Sequence, residues 1–217
     1  MQPVIAAGAA AFAAQWHAGQ WRKSFIRRPA TEHMDWVVWI LARYADASDE
    51  VLLSGGRVHD VLEDTDATVE HIAEALGWEV AHLAVELKNP DDLHGPDAKR
   101  IWQVAHAPHM SPRAKGIKIA DQIAVVLEQL FYPHGKTLAH YLEYVDKAEA
   151  VCQACAGAYA ELDRYAAAML SKVRRQLENL MEATLDDQTI LREPVITFCL
   201  HLACAAPEGK AEPSAMR

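Results

Sequence analysis

The sequence predicts an all-α protein, and three observations support this prediction. Almost every apolar stretch recurs at the 3.6-residue period of a helix, and the alternation typical of strands is missing from the sequence. Glycines stand at Gly19 and Gly77, where helices should end. The pair Ser111-Pro112 offers an N-cap followed by a proline at the first helical position. We therefore expect a helical bundle with a helical C-terminal extension.

The predicted helices follow one another along the chain with loops between them. An alanine-rich opening, residues 3–14, has no Lys or Arg before it, and its pattern continues into Gln15 and His17, which is not typical of a signal peptide. Residues 23–32 and 88–96 lack periodicity and are predicted loops that border a pocket. The other predicted helices are residues 36–45, 51–62, 69–76, 99–107, 117–130 and 138 to about 181.

The length of 217 residues, 51% of them hydrophobic, suits one domain with an appendage. We assign residues 1–180 to the domain and residues 181–217 to the extension. From Pro207 onward the composition cannot bury enough surface to order itself, so we expect a partly disordered tail. Val173 and Leu177 share a helix face with Leu180 and Met181, which leaves a homo-oligomer open.

Charge and cysteine content narrow the class of protein. The 30 acidic residues outnumber the 21 Lys and Arg, which argues against nucleic-acid and membrane-surface binding and requires a local basic pocket for any anionic ligand. No apolar run reaches the length of a membrane span. Four cysteines form no disulfide framework, so the cytoplasm is the expected compartment. The pairs Cys152/Cys155 and Cys199/Cys204 could form a zinc site, but their helical, apolar context favours buried free thiols.

The most informative string surrounds His59 and Asp60, near the end of a predicted helix. These neighbours can offer one divalent ion an imidazole nitrogen and a carboxylate oxygen, a mixture that suits Mn, Fe or Zn. Glu63 lies four residues after His59, which places a candidate base one turn away. His33 and Asp121 are further candidate ligands.

Each of these residues also has a simpler interpretation. Acidic runs such as the one after His59 are usually solvated helix faces. Asp121 lies in an apolar helix, where a carboxylate is costly to bury unless it is paired or bound to a metal, and Lys118 could form an i, i+3 ion pair with it.

The order of these residues resembles the HD-domain phosphohydrolases, in which three helical segments supply two His and two Asp to one metal. The sequence motifs around these residues narrow the resemblance to the hydrolase domain of the Rel/SpoT family, and within it to the stand-alone small alarmone hydrolases. It covers about residues 5 to 150. The motifs that carry the resemblance are His17-Ala-Gly19-Gln20-Trp-Arg22-Lys23, His59-Asp60-x-x-Glu63-Asp64-Thr65, Ala107-Pro108-His109-Met-Ser111-Pro112-Arg-Ala114-Lys115 and Lys118-Ile-Ala120-Asp121.

The resemblance implies an HD-domain helical bundle and a hydrolase that uses one manganese ion, or another divalent metal. Such enzymes remove the 3′-pyrophosphate from guanosine tetra- or pentaphosphate, giving GDP or GTP and pyrophosphate. A metal ion and ordered positioning suit phosphate-ester hydrolysis on general chemical grounds. The implied roles are these: metal ligands His33, His59, Asp60 and Asp121; catalytic carboxylates Glu63 and Asp64; substrate contacts Arg22, Lys23, Lys115, Lys118 and Tyr141. For Tyr141, core packing is the competing interpretation.

The sequence departs from the family pattern at positions associated with nucleotide recognition. Val125 stands where the family usually has Asn, Ala30 and Met34 replace Tyr and Pro around the first His, and Gln122 replaces a basic residue. Loss of hydrogen-bonding groups weakens substrate discrimination. Two alternatives therefore stay open: a related nucleotide phosphatase, such as an NADPH 2′-phosphatase or nucleotidase, and a non-catalytic module that binds an alarmone.

Overall fold

The computed structural model describes residues 4–184 and residue 190, and these residues contain no β-strand. The all-α prediction is confirmed. A 3₁₀ helix, Ala107–His109, precedes α8. None of the described helices is long and apolar enough to cross a membrane. The α-helices are α1 (Val4–Trp16), α2 (Thr31–Tyr44), α3 (Glu50–Val58), α4 (Val61–Asp64), α5 (Val69–Leu76), α6 (Trp78–Leu87), α7 (Pro96–His106), α8 (Pro112–Phe131), α9 (Leu138–Cys155) and α10 (Ala160–Thr184).

Helix α8 lies at the centre of the bundle, in contact with α2, α3, α6, α9 and α10. Its start matches the prediction, because the Ser111 hydroxyl accepts the N–H of Ala114 at 3.3 Å and Pro112 occupies the first turn. Most of its side chains are buried, including Ile117, Ile123 and Leu127. Polar groups on this helix are therefore held in fixed positions by the core around them.

A second, smaller apolar cluster fixes the end of α3. Phe12 of α1 packs with Val58, Ile72 and Val80, which belong to α3, α5 and α6. Gly77 ends α5 with a φ of 91°, as its position in the sequence predicted. The cluster holds the C-terminal end of α3 against α1, α5 and α6, and the next residue in the chain is His59.

The prediction of one helix over residues 51–62 is wrong, since α3 ends at Val58 and α4 begins at Val61. The Nδ1–H of His59 donates to the carbonyl of Gly56 at 2.9 Å. In an uninterrupted helix that carbonyl would accept the backbone N–H of Asp60. The break places His59 and Asp60 in a connection between two helices.

The prediction of one helix over residues 138–181 is also wrong. Helix α9 ends at Cys155, Ala156 is extended, and Gly157 has a φ of 109° that few other residues adopt. The backbone N–H of Gly157 donates to Asp163 at 2.9 Å. The apolar period continues on both sides of this turn, which hides the break in the sequence. The two predicted loops are shorter than expected, because α2 and α7 begin earlier, at residues 31 and 96.

The cysteine prediction is tested only for the pair on α9. Cys152 and Cys155 are free and buried, and burial raises the pKa of the Cys155 thiol to about 11. Both therefore behave as small core residues. Cys199, Cys204, the predicted tail and most of the predicted extension lie outside the described residues.

Replacement of the fully buried Trp36 tests the packing of α2 on α8. The ring is 0% exposed and lies 5.3 Å, centroid to centroid, from that of Phe131. We expect Trp36→Ala to lower the free energy of unfolding by about 3–5 kcal/mol, because it removes buried area and leaves a cavity. Trp78→Ala is the matched control, since Trp78 is 57% exposed and its loss should cost less than about 0.5 kcal/mol. Urea denaturation measures both, and equal losses would contradict the packing described.

Candidate active site

Two histidines and two aspartates from three helical segments converge inside the bundle. His33 lies in the first turn of α2, His59 and Asp60 lie in the connection between α3 and α4, and Asp121 lies in the middle of α8. The Asp121 Oδ1 atom is 3.1 Å from His33 Nε2 and 3.7 Å from His59 Nε2. His59 Nε2 is in turn 3.1 Å from Asp60 Oδ2. The structure therefore brings together all four residues that the sequence nominated as ligands.

The four side chains fit a divalent cation. One ligand atom from each of His33, His59 and Asp60 lies within 4.8 Å of the other two. Because the Nδ1–H of His59 donates to the carbonyl of Gly56, the neutral ring would offer its Nε2 lone pair to a cation, and this buried atom has no hydrogen-bond partner among the described residues. Two imidazole nitrogens with two carboxylates form a donor set that suits Mn, Fe or Zn.

The cluster is strongly coupled electrostatically. Burial alone would lower the pKa of His59, but the carboxylates of Asp60 and Asp121 raise it to about 10. Burial likewise opposes protonation of His33, yet its hydrogen bond to Asp121 keeps the His33 pKa above its usual value. Burial would raise the pKa of Asp121, but its contacts with the two imidazoles hold that pKa well below its usual value. The imidazoles and the carboxylates therefore stabilise each other's charged forms.

Glu63, on α4, is held by the loop between α6 and α7. Its Oε1 atom accepts the backbone N–H of Asn89 at 2.9 Å and the side-chain amide of Asn89 at 2.8 Å. Its Oε2 atom lies 3.4 Å from the Lys99 ammonium. Gln103 donates to the Asn89 amide oxygen at 3.0 Å and completes the support. The carboxylate is fixed in position, and no hydrogen bond or ion pair links it directly to the four converging residues among those described.

Asp64 lies at the rim between two cavities. Partial burial and the negative charges of Asp60 and Glu63 raise the pKa of Asp64. One cavity, of about 380 Å³, is lined by Glu63 and Asp64, and both Asp64 and Gln20 also border the second. A carboxylate of raised pKa at this place can exchange a proton with a molecule in either cavity.

The second cavity, of about 390 Å³, carries the basic groups that the acidic chain needs for an anionic ligand. The loop before α2 folds back on itself, with Arg22 N–H donating to the carbonyl of Arg28 at 2.9 Å and Ala30 N–H to that of Gln20 at 3.1 Å. The cationic and aromatic residues of the wall are Arg22, Lys23, Arg28, Trp21, Tyr132 and Tyr144. Cations and rings together suit a ligand with both phosphates and a planar base.

Known proteins of the same kind are found by both structure and sequence. A solved structure described as a metazoan ortholog of SpoT that hydrolyzes ppGpp and plays a role in starvation responses matches with a TM-score of 0.72 and 28% identity, over 81% of this chain and 97% of that chain. The sequence matches no protein-family model. Guanosine-3′,5′-bis(diphosphate) 3′-pyrophosphohydrolase MESH1 from Danio rerio is 31% identical over 154 residues, 70% of this chain and 84% of the relative. The Homo sapiens MESH1 of the same description is 33% identical over 156 residues, 71% of this chain and 87% of the relative.

The chain belongs to the MESH1 family. This confirms the resemblance that the sequence motifs indicated, together with the all-α fold that the resemblance implied. The match to the human MESH1 protein spans 156 residues, close to the length of the stretch, about residues 5 to 150, on which the resemblance rests.

Within this MESH1-family chain, the residues predicted to contact substrate separate into two groups. Arg22 and Lys23 line the cavity of about 390 Å³. Lys115, Lys118 and Tyr141 are not among its lining residues. Lys118 is 4% exposed on α8, and Tyr141 is 2% exposed with its hydroxyl accepting the backbone N–H of His134 at 3.1 Å. The competing interpretation of Tyr141 as a core residue matches this geometry, and the neighbouring Tyr144 reaches the cavity instead.

The residues of this MESH1-family chain that depart from the family pattern lie partly in the cavity wall and partly deeper in the protein. Val125 and Ala30 both line the cavity, so its wall is apolar where the family pattern has polar side chains. Gln122 donates to Asp121 Oδ2 at 3.1 Å and so contacts a predicted ligand rather than the cavity wall. Met34 is 2% exposed and belongs to the core.

Several site residues were not identified from the sequence. Asn89 lies in a loop whose contact with Glu63 has no sequence signature. Glu128 lies on the same face of α8 as Asp121, seven residues later, and this helical period was the available signal; Tyr132 directly follows the helix. Arg28, in the predicted loop of residues 23–32, is 5% exposed with its guanidinium 3.7 Å above the Tyr132 ring.

Proposed function

We propose that this chain hydrolyses guanosine 3′,5′-bis(diphosphate), releasing pyrophosphate from the 3′ position and leaving GDP; the pentaphosphate would give GTP. The observation that carries the proposal is the convergence of two His and two Asp beside a basic, aromatic cavity in a MESH1-family chain. The related proteins named for this reaction cover most of the same stretch of chain.

In this proposal, His33, His59, Asp60 and Asp121 hold one divalent cation, and we infer Mn²⁺. A cation there would lower the pKa of a water molecule and offset charge on a phosphoryl oxygen. The donor set supports Mn²⁺ without excluding Fe or Zn from the same ligands.

Glu63 and Asp64 act on the proton of the attacking water. The water oxygen forms a bond to the phosphorus attached to O3′, the P–O3′ bond breaks, and a proton reaches O3′ of the ribose. Glu63 is rigidly held by Asn89, which suits a residue that orients the water. Asp64, with its raised pKa, suits a group that accepts a proton and returns it.

Arg22 and Lys23 bind the phosphates of the substrate. An arginine can grip a phosphate with two parallel hydrogen bonds, whereas the exposed Lys23 adds a point charge at the cavity rim. We assign Lys118 and Tyr141 indirect roles in shaping the site, because both are buried. Lys115 stays a proposed contact that would require the substrate to extend beyond the cavity wall.

Incubation of the Mn²⁺-loaded protein with guanosine tetraphosphate, followed by product identification, tests the proposed reaction. We expect GDP and pyrophosphate in equal amounts and no turnover after chelation. Orthophosphate as the product would favour the nucleotide phosphatase, an alternative supported by the apolar Val125 in the cavity wall. NADPH and deoxynucleotides are the comparison substrates. Tight binding of the nucleotide without turnover would instead favour a non-catalytic module.

For the cellular compartment and the binding partners, our proposal follows the predictions from the sequence. We propose a cytoplasmic protein with a small nucleotide as its ligand and no nucleic-acid or membrane partner. The net charge of −9 supports this, because a polyanionic surface would be repelled outside the basic cavity. A homo-oligomer stays open.

Cation binding should depend steeply on pH. The pKa of His59 is about 10, so its ring carries a proton near neutral pH, and the raised pKa of His33 means that this ring also keeps its proton to a higher pH than usual. A cation can bind only as those protons leave. We therefore expect Mn²⁺ affinity to rise as the pH increases from about 6.5 toward about 10, with release of roughly one to two protons per ion. Calorimetry in buffers of different ionisation enthalpy counts the protons, and a pH-independent affinity would contradict the assignment.

A further inference from the structure

Glu128 is a buried carboxylate at the boundary between the converging ligands and the basic cavity. Its side chain is 4% exposed, on α8, seven residues after Asp121. One oxygen, Oε2, lies 2.6 Å from Nη2 of Arg22 and 3.5 Å from Nδ1 of His33. The other, Oε1, lies 3.8 Å from Nη1 of Arg28. One acid group thus contacts a proposed cation ligand and two cations of the cavity wall.

The spacing on α8 allows this helix to hold the His33 ring at both nitrogens. Residues seven apart lie two turns apart on one face. Asp121 therefore reaches Nε2 at 3.1 Å and Glu128 reaches Nδ1 at 3.5 Å. With a cation on Nε2, a proton on Nδ1 would face the Glu128 carboxylate, and this ion-pair contact would fix the orientation of the ring.

The same carboxylate fixes the two arginines. Arg22 is 29% exposed and borders the cavity, so its bond to Glu128 sets the position of a guanidinium that faces the ligand. Arg28 is held between Glu128, Glu32 at 3.2 Å and the Tyr132 ring. The guanidinium groups of Arg22 and Arg28 lie 2.6 and 3.8 Å from the Glu128 oxygens and supply the opposite charge that a buried carboxylate needs.

We propose that Glu128 is a positioning residue that couples cation binding at His33 to phosphate binding at Arg22. Its removal would release the His33 ring and leave two guanidinium groups without their shared counter-charge. A salt bridge of purely structural value would need only one of these contacts. The measurement of KM rests on the proposed function, whereas the measurement of Mn²⁺ affinity does not.

The Glu128→Gln variant tests both halves of the coupling. We expect Mn²⁺ affinity without substrate to fall by about 10- to 100-fold, the effect typical of losing the partner of a metal-bound histidine. We also expect a KM increase of about tenfold as Arg22 loses its position. Glu128→Asp retains the charge and should restore part of both. Arg22→Ala should raise KM while leaving Mn²⁺ affinity within about twofold, because it leaves Glu128 beside His33.

Glu86→Gln is the matched control, since Glu86 accepts hydrogen bonds from the backbone and hydroxyl of Ser111, away from the cavity of about 390 Å³. It should lower the melting temperature without changing Mn²⁺ affinity. Unchanged Mn²⁺ affinity in Glu128→Gln would overturn the link to His33, and unchanged KM would overturn the link to Arg22. If Glu128→Gln does not fold, the same two readouts on Glu128→Asp decide, because its shorter side chain lengthens both contacts. If the native protein is inactive on guanosine tetraphosphate, the proposed function and the link to KM fail, whereas the Mn²⁺ affinity measurement still tests the link to His33.

Discussion

Asp121→Ala is expected to abolish cation binding and to reduce kcat/KM by at least about 10³-fold, which corresponds to roughly 4 kcal/mol of lost transition-state stabilisation. Asp121 is the residue that contacts both imidazoles, at 3.1 and 3.7 Å. Its loss removes one ligand and also the partner that orients His33 and His59. Titration with Mn²⁺ by electron paramagnetic resonance measures the binding, and pyrophosphate release measures the rate.

Asp146→Ala is the control for this prediction. Asp146 lies on α9 with its side chain 61% exposed and pairs with Arg174, outside the residues of the proposed site. It should bind Mn²⁺ and turn over as the native protein does. A folded Asp121→Ala variant that keeps native Mn²⁺ affinity would show that the cation does not use this carboxylate.

Glu63→Gln is expected to reduce kcat by about 10²- to 10⁴-fold while leaving Mn²⁺ affinity within a few-fold of the native value. The substitution keeps the shape of the side chain and removes its ability to accept a proton. Among the described hydrogen bonds and ion pairs, none joins the Glu63 carboxylate to the side chains of His33, His59, Asp60 or Asp121, so the cation should still bind. Rapid-mixing kinetics with saturating Mn²⁺ separates the chemical step from binding.

Glu143→Gln controls for the loss of one negative charge, since Glu143 is 63% exposed on α9. Its kcat should be unchanged. Full turnover by cation-loaded Glu63→Gln would assign the proton transfer elsewhere, and Asp64 would then be the candidate, because its pKa is raised and it borders the cavity.

The helices of this chain could be predicted where local chemistry determines them. Ser111 and Gly77 stand at helix ends in the structure as they do in the sequence pattern, because capping needs only neighbouring residues. The breaks at His59 and Gly157 could not be predicted. The first depends on an imidazole that bonds to the carbonyl of Gly56, and the second lies within an apolar period that continues across the turn.

The residues of the site could be predicted where they lie in recognisable sequence motifs. His33, His59, Asp60 and Asp121 converge as the resemblance implied, although 88 residues separate the first from the last. Asn89 and Glu128 were missed, because their contacts with Glu63 and His33 join parts of the chain that carry no shared motif. Long-range contacts of this kind depend on how helices pack, which a single sequence does not reveal.

Diffraction from crystals of the Mn²⁺-loaded protein, recorded at the manganese absorption edge, tests the site most directly. We expect a single anomalous peak in coordination contact with His33, His59, Asp60 and Asp121. An anomalous peak at any other place in the chain, or crystals of loaded protein with no peak between these four side chains, would contradict the proposed metal centre and the hydrolysis that depends on it.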